Sequence, residues 1–155
     1  MKLKKALELL KIREFVSVGT CDFDARPNVA PKLVLKVLEN CVYLIDYVVG
    51  RTFRNLTINP RACLAFMDID SLIGYQFHGP VEVIDEGPLY DKMIHELSAR
   101  QIELSVQRII EGVDKGKSHK AFELGMPQQF VIFKVCIEEI VEIGTSGELK
   151  RERVS

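Results

Sequence analysis

Few of the side chains that do chemistry stand at informative spacings in this chain. His95-Glu96 opens like the zinc-protease pattern H-E-x-x-H, but Ala99 occupies the place of the second histidine. Gly116-Lys117-Ser118 imitates the end of a phosphate-binding loop, yet Glu111 stands where the first glycine belongs, and a helical pattern precedes it. His78, His95 and His119 are far apart, with no cysteine at ligand spacing, so no metal is expected. No nucleophile–base arrangement identifies itself, and no catalytic residue is assigned.

One stretch carries a usable pattern: Asp46-Tyr47-Val48-Val49-Gly50-Arg51-Thr52-Phe53-Arg54-Asn55-Leu56. A strand that ends at Gly50 and a helix capped by Thr52 leave free backbone N–H groups and the positive helix end pointing outward. Arg51 and Arg54 flank that end, Thr52 adds a hydroxyl, and Lys32 on the neighbouring strand is placed to add a third positive charge. Such a combination suits a phosphate monoester. The alternative is a capped surface helix with two solvated arginines.

Positioning these groups falls to short elements. Leu3, Ala6, Leu7 and Leu10 recur at helical spacing opposite Lys4, Lys5, Glu8 and Lys11, which predicts an amphipathic helix over 2–12. Glu14–Cys21 is β-branched and ends at the turn Asp22-Phe23-Asp24. Asn28–Leu38 and Cys41–Val49, joined by Glu39-Asn40, read as a hairpin. A short helix, Thr52–Thr57, is stopped by Asn59-Pro60. Strands follow at Arg61–Asp68 and at Gly74–Ile84, the latter bent at Gly79-Pro80.

The period then lengthens. Leu89, Met93, Ile94, Leu97 and Leu104 predict one long helix over 88–111, or two with a break near Gln101; their apolar side chains read as a buried face rather than a cofactor box. A loop over 112–125, a last strand over Gln129–Ile143 and a frayed polar tail from Gly144 complete the chain. Six short strands of this kind predict an α+β, mainly β fold, a small antiparallel barrel with helices outside.

Composition narrows the function classes. The chain has 155 residues, 47% apolar, with 21 basic against 22 acidic side chains and a net charge of −1. That length suits one domain, and the charge balance argues against nucleic acid as partner. Cys21, Cys41, Cys63 and Cys136 are scattered with no C-x-x-C pair and read as free, mostly buried thiols of a cytoplasmic protein. Glu8, Lys11 and Arg13 break the apolar run that a signal peptide requires. No apolar stretch approaches the ~20 residues of a membrane span.

Five motifs in order add a wider pattern. They are Phe15-Val16-Ser17-Val18-Gly19-Thr20, Arg26-Pro27-Asn28-Val29-Ala30-Pro31, Val42-Tyr43-Leu44-Ile45-Asp46, Gly50-Arg51-Thr52-Phe53-Arg54-Asn55-Leu56 with Asn59-Pro60-Arg61, and Gly74-Tyr75-Gln76-Phe77-His78-Gly79-Pro80-Val81-Glu82-Val83. Together they resemble the pyridoxamine 5′-phosphate oxidase-like family of FMN-binding split-barrel proteins, over roughly Leu3–Ile84, with the last strand fitting more loosely.

The resemblance implies a six-stranded antiparallel split β-barrel with flanking helices, homodimeric, with flavin clefts between subunits. The expected domain runs over 1–145 and is followed by a polar tail over 146–155. It assigns the FMN phosphate to Arg51, Thr52, Arg54 and Asn55, and the isoalloxazine edge to Asn28, Ala30, Pro31, Lys32 and Leu33 with Leu44, Ile45, Asp46 and Tyr47. Lys32 is the expected cation near the N1–C2 edge of the ring. Tyr75, Gln76 and His78 are candidates for contacts from the second chain, with His78 as a possible acid–base group.

The expected activity is that of an FMN-dependent oxidoreductase acting on a small substrate or acceptor. The alternative is a non-catalytic protein of the same fold that binds or senses flavin, deazaflavin or haem. The chain has no Trp, and Phe130-Val131-Ile132-Phe133-Lys134-Val135 stands in place of the Arg-rich, Trp-containing substrate segment of true pyridoxamine phosphate oxidases. The vitamin oxidation itself is therefore not implied.

Overall fold

Alternation of apolar and polar side chains sets the architecture. In the first strand, β1 (Phe15–Cys21), Val16, Val18 and Thr20 are buried while Phe15 and Ser17 face out, the period of a half-buried strand. The computed structural model describes residues 2–47, 50–99 and 130–154. They divide into two compact units, Met1–Ile84 with Phe130–Ser155, and Asp85–Gln129.

The first unit holds helix α1 (Lys2–Lys11), β1, β2 (Pro27–Leu38), β3 (Cys41–Tyr47), helix α2 (Arg51–Ile58), β4 (Arg61–Asp68) and β5 (Ile73–Ile84). After the second unit come β6 (Phe130–Cys136), β7 (Glu139–Ile143) and β8 (Leu149–Arg153). Strands β1, β2, β3, β6, β5 and β4 pair antiparallel in that order, and β4 pairs with β1, closing the expected six-stranded barrel. Closure leaves the barrel without free edges.

The interior is filled by Val16, Val18, Val34, Val42, Leu44, Leu64, Phe77, Val131, Phe133 and Val135. Helix α1 adds Ala6, Leu7 and Leu10 to this core, and α2 adds Leu56. The hairpin turn at Glu39-Asn40 is as expected, with Glu39 left-handed at φ 52°. A register shift between Val34 and Lys36 bends β2 where it passes β3.

Three expectations need correction. The last strand is not continuous: Ile137 and Glu138 interrupt it. β6 pairs with the C-terminal half of β5 (Val81↔Val135), whereas β7 pairs with its N-terminal half (His78↔Glu139). The polar tail is not frayed, because Leu149–Arg153 pairs with β7 as β8, flanked by Arg151–Glu139 and Lys150–Glu142 ion pairs at 3.4 and 3.7 Å. At the surface such pairs add little stability each, so the backbone ladder holds this hairpin.

The third correction concerns the cysteines. Cys41 and Cys136 are register partners across β3 and β6, with Cα atoms 4.2 Å apart, and form a disulfide; Cys21 and Cys63 are free. Partners 95 residues apart in sequence become neighbours only through the closed sheet. A loop of that length is worth about 4–5 kcal/mol in the chain-entropy model. Cys41→Ser with Cys136→Ser should therefore lower the thermal midpoint by roughly 10 °C or more, measured by differential scanning calorimetry under non-reducing conditions.

In the second unit, helix α3 covers 88–99 within the described residues, with Met93 and Leu97 buried and Leu89 exposed. The expected continuation through Leu104, the break near Gln101 and the loop over 112–125 lie outside the described residues. Among the described residues no helix is long and apolar enough to cross a membrane, and no cluster of side chains suited to hold a metal ion is present.

Candidate functional site

Helix α2 begins one turn position earlier than the sequence pattern implies. Its N-cap is Gly50, extended at φ −85° and ψ 165°, with no side-chain cap hydrogen bond. Thr52 does not cap the helix; its hydroxyl is buried and accepts a hydrogen bond from Asn28 Nδ2 at 3.2 Å. With no side chain on the first-turn N–H groups, the positive helix end stays available to an anion. At the other end Asn59 donates its N–H to the Asn55 carbonyl at 2.7 Å, and Pro60 follows.

A buried polar cluster ties this helix to the barrel. Asn55 Nδ2 donates to Thr20 Oγ1 at 3.1 Å, and Asn28 Nδ2 donates to Thr20 Oγ1 and Thr52 Oγ1 at 3.4 and 3.2 Å. Buried polar groups are costly unless paired, so this cluster fixes the face that α2 turns inward. Thr20 was not among the expected residues. Its signal is strand parity: it occupies the inward phase of Val16 and Val18, where a polar side chain needs a partner. Asn55→Leu removes the shorter of the two hydrogen bonds to Thr20 and should cost about 1–3 kcal/mol, read from urea unfolding.

Facing the same interior, Lys32 and Asp46 oppose each other on β2 and β3, one step beyond the registered pair Leu33↔Ile45. Lys32 Nζ lies 2.7 Å from Asp46 Oδ2, with the two side chains 12% and 8% exposed. That oxygen receives no directed hydrogen bond; the contact is one of charge. Ala30 lies between Asn28 and Lys32 on the same strand face and is half-buried.

Arg51 and Arg54 are exposed on the first turn of α2, with no ion pair to either among the described residues. Two guanidinium groups beside uncapped N–H groups can bind a phosphate ester through charge-assisted hydrogen bonds.

The remaining expected residues do not join this cluster, because neighbouring strand residues point to opposite faces. Pro31 and Leu33 face out of the barrel, with Pro31 exposed and Leu33 half-buried. Leu44 is fully buried in the core, so its side chain is committed to packing rather than to a ring edge. Ile45 is buried on the opposite strand phase. The Tyr47 backbone pairs with Phe130, while its side chain lies outside the described residues.

Tyr75 was expected to reach a second chain, but it is in the barrel interior, its ring 5.3 Å from that of Phe66. Burial, followed by the charges of Glu142 and Asp68, raises its phenol pKa above 10.0. Gln76 and His78 occupy the outer phase of β5 and are half-buried. His78 is registered opposite Cys63, with Nε2 3.9 Å from Sγ. Burial raises the Cys63 thiol above its ordinary 9.0, so it stays protonated near neutrality. Iodoacetamide should accordingly label Cys63 slowly at pH 7 and faster above pH 9, read by peptide mass spectrometry.

The family model described as pyridoxamine 5′-phosphate oxidase matches residues 3–142. No curated protein matches the chain. Among solved structures, similarity extends to a Clostridium acetobutylicum protein related to general stress protein 26 of B. subtilis (TM-score 0.65, 18% identity, covering 98% of this chain and 94% of that one). A pyridoxamine 5′-phosphate oxidase-related, FMN-binding protein from Nostoc punctiforme has TM-score 0.60 and 15% identity, over 99% and 93% of the two chains. A haem-binding protein from Mycobacterium smegmatis has TM-score 0.67 and 14% identity, over 99% of this chain and 58% of that one. At these identities the structural likeness speaks to the fold. With the closed barrel and a family match over nearly the whole sequence, the chain belongs to the pyridoxamine 5′-phosphate oxidase family.

Proposed function

We propose that this protein is an FMN-binding flavoprotein, an oxidoreductase that exchanges electrons between the flavin and a small-molecule donor or acceptor. The observation that carries this reading is the pair of exposed arginines, Arg51 and Arg54, on a helix whose first turn is uncapped. The phosphate is held there, while the adjoining strand β2 offers Asn28 and Lys32 to the polar atoms of the ligand. When bound, the flavin supplies the redox chemistry; the chain's own residues bind and orient it.

In this reading the working unit is a homodimer. The outer face of β1, β2 and β4 supports it: Phe15, Val29 and Met67 are exposed there beside Ser17 and Pro31, and none of these five is charged. An apolar sheet face of this kind is characteristic of an interface. Light scattering should give twice the chain mass. The reading also sets the protein in the cytoplasm, where the Cys41–Cys136 disulfide meets reducing conditions; rapid alkylation of cell lysate followed by mass spectrometry reads its redox state there.

Function is tested by the absorption spectrum of protein purified without added cofactor, followed by FMN titration with fluorescence quenching. Flavin bands and quenching, with anaerobic bleaching by NAD(P)H, are the expected result. Binding of FMN without reduction by any nicotinamide donor favours a storage or sensing protein. A Soret band in place of flavin bands favours haem, the ligand of the Mycobacterium smegmatis protein.

A further inference from the structure

The buried ion pair at the start of the site carries a consequence for ligand choice. Asp46 Oδ2 lies 2.7 Å from Lys32 Nζ, buried and without a directed hydrogen bond. It also borders the N-cap of α2. A Cβ built on Gly50 would stand 3.9 Å from this same oxygen and 4.0 Å from the Thr52 backbone nitrogen. A negative charge therefore sits against the helix turn that presents Arg51 and Arg54, where a phosphate group would bind. Lys32, the one cation on the inward face of β2 among the described residues, is neutralised by it. Both groups are about nine-tenths buried, so salt and water screen them weakly.

We propose that Asp46 is a specificity-determining residue: its carboxylate holds Lys32 in a neutral pair and so limits how far the site favours a phosphorylated ligand over its unphosphorylated form. This rests on the flavin-phosphate reading above. Arg51 and Arg54 supply attraction for the phosphate, and Asp46 subtracts from it by its own charge and by withholding that of Lys32. Recognition of the ring and the ribityl chain, which carry no charge, is affected far less. The site is thereby tuned to discriminate modestly between FMN and riboflavin.

The test is the ratio of riboflavin to FMN dissociation constants, a readout that a purely structural ion pair would not move. Asp46→Asn preserves shape, removes the negative charge and leaves Lys32 as a cation. It should raise the ratio about tenfold by tightening FMN, with riboflavin changed by less than about threefold. Lys32→Gln leaves Asp46 uncompensated and should lower the ratio about tenfold.

The double variant Lys32→Gln/Asp46→Asn buries no uncompensated ion, so it keeps the test open should a single variant fail to fold. Its ratio should fall within about threefold of wild type. An unchanged or lowered ratio in Asp46→Asn overturns the proposal, as does a tenfold-raised ratio in the double variant. Wild-type protein that binds neither flavin overturns the flavin reading and this proposal together. Wild-type protein that binds FMN while the variants keep its ratio overturns this proposal alone.

Discussion

Gly79→Ala should abolish the fold or destabilise it by roughly 4 kcal/mol or more, the range reached when a clash cannot relax. A Cβ at this position would land on the backbone carbonyl oxygen of Cys136, with the Cys136 carbonyl carbon at 2.8 Å and Ile137 Cα at 3.3 Å. None of these atoms belongs to a side chain that could change rotamer, so the strands themselves would have to separate. The close approach has a topological cause. At Gly79 the chain of β6 leaves the C-terminal half of β5 and crosses to enter β7 against the N-terminal half. The crossing is held by the Glu138 N–H on the His78 carbonyl at 2.8 Å and the Ile137 N–H on the Asn40 carbonyl at 2.9 Å.

Gly19 supplies the contrast. A Cβ there meets the Cys63 carbonyl oxygen at 3.5 Å, an ordinary contact, so Gly19→Ala should stay within about 1 kcal/mol of wild type. Soluble expression and urea unfolding of the two variants decide the matter. Equal stability of both would mean that the β5 crossing is not close-packed.

Replacing Arg51 and Arg54 together with alanine should weaken FMN binding at least about a hundredfold. Each charge-assisted contact to phosphate is worth about 1.5–3 kcal/mol, and every 1.4 kcal/mol is tenfold in affinity. Both side chains are exposed and α2 is anchored by Thr52, Asn55 and Leu56 on its other face, so unfolding should shift by only ~0.5 kcal/mol. Riboflavin should lose much less than FMN, because only the phosphate contact is removed. Fluorescence titration with both flavins measures this. An FMN affinity unchanged in the double variant would remove the phosphate from the start of α2.

Elements whose signals are local were legible in the sequence. The alternation of Val16, Val18 and Thr20, the turn at Glu39-Asn40 and the stop at Asn59-Pro60 each depend on residues a few positions apart, and each is realised. The candidate anion site was legible for the same reason, since Gly50, Arg51 and Arg54 are local to one strand–helix junction. The break of the last strand was not: Ile137 and Glu138 look like strand residues, and only competition for the two halves of β5 interrupts them.

Sequence alone determined the barrel's strand count, the amphipathic first helix and the placing of two arginines at a helix start, because hydrophobic period, turn residues and charge spacing act over short range. Tertiary structure decided which of the expected residues meet. It turned Tyr75 and Leu44 into the core and gathered Asn28, Thr52 and Asn55 around the unforeseen Thr20. It joined Cys41 to Cys136 and set Asp46 against Lys32. Each of these follows from register between strands, which is set by closing the whole sheet and so cannot be read from any one strand.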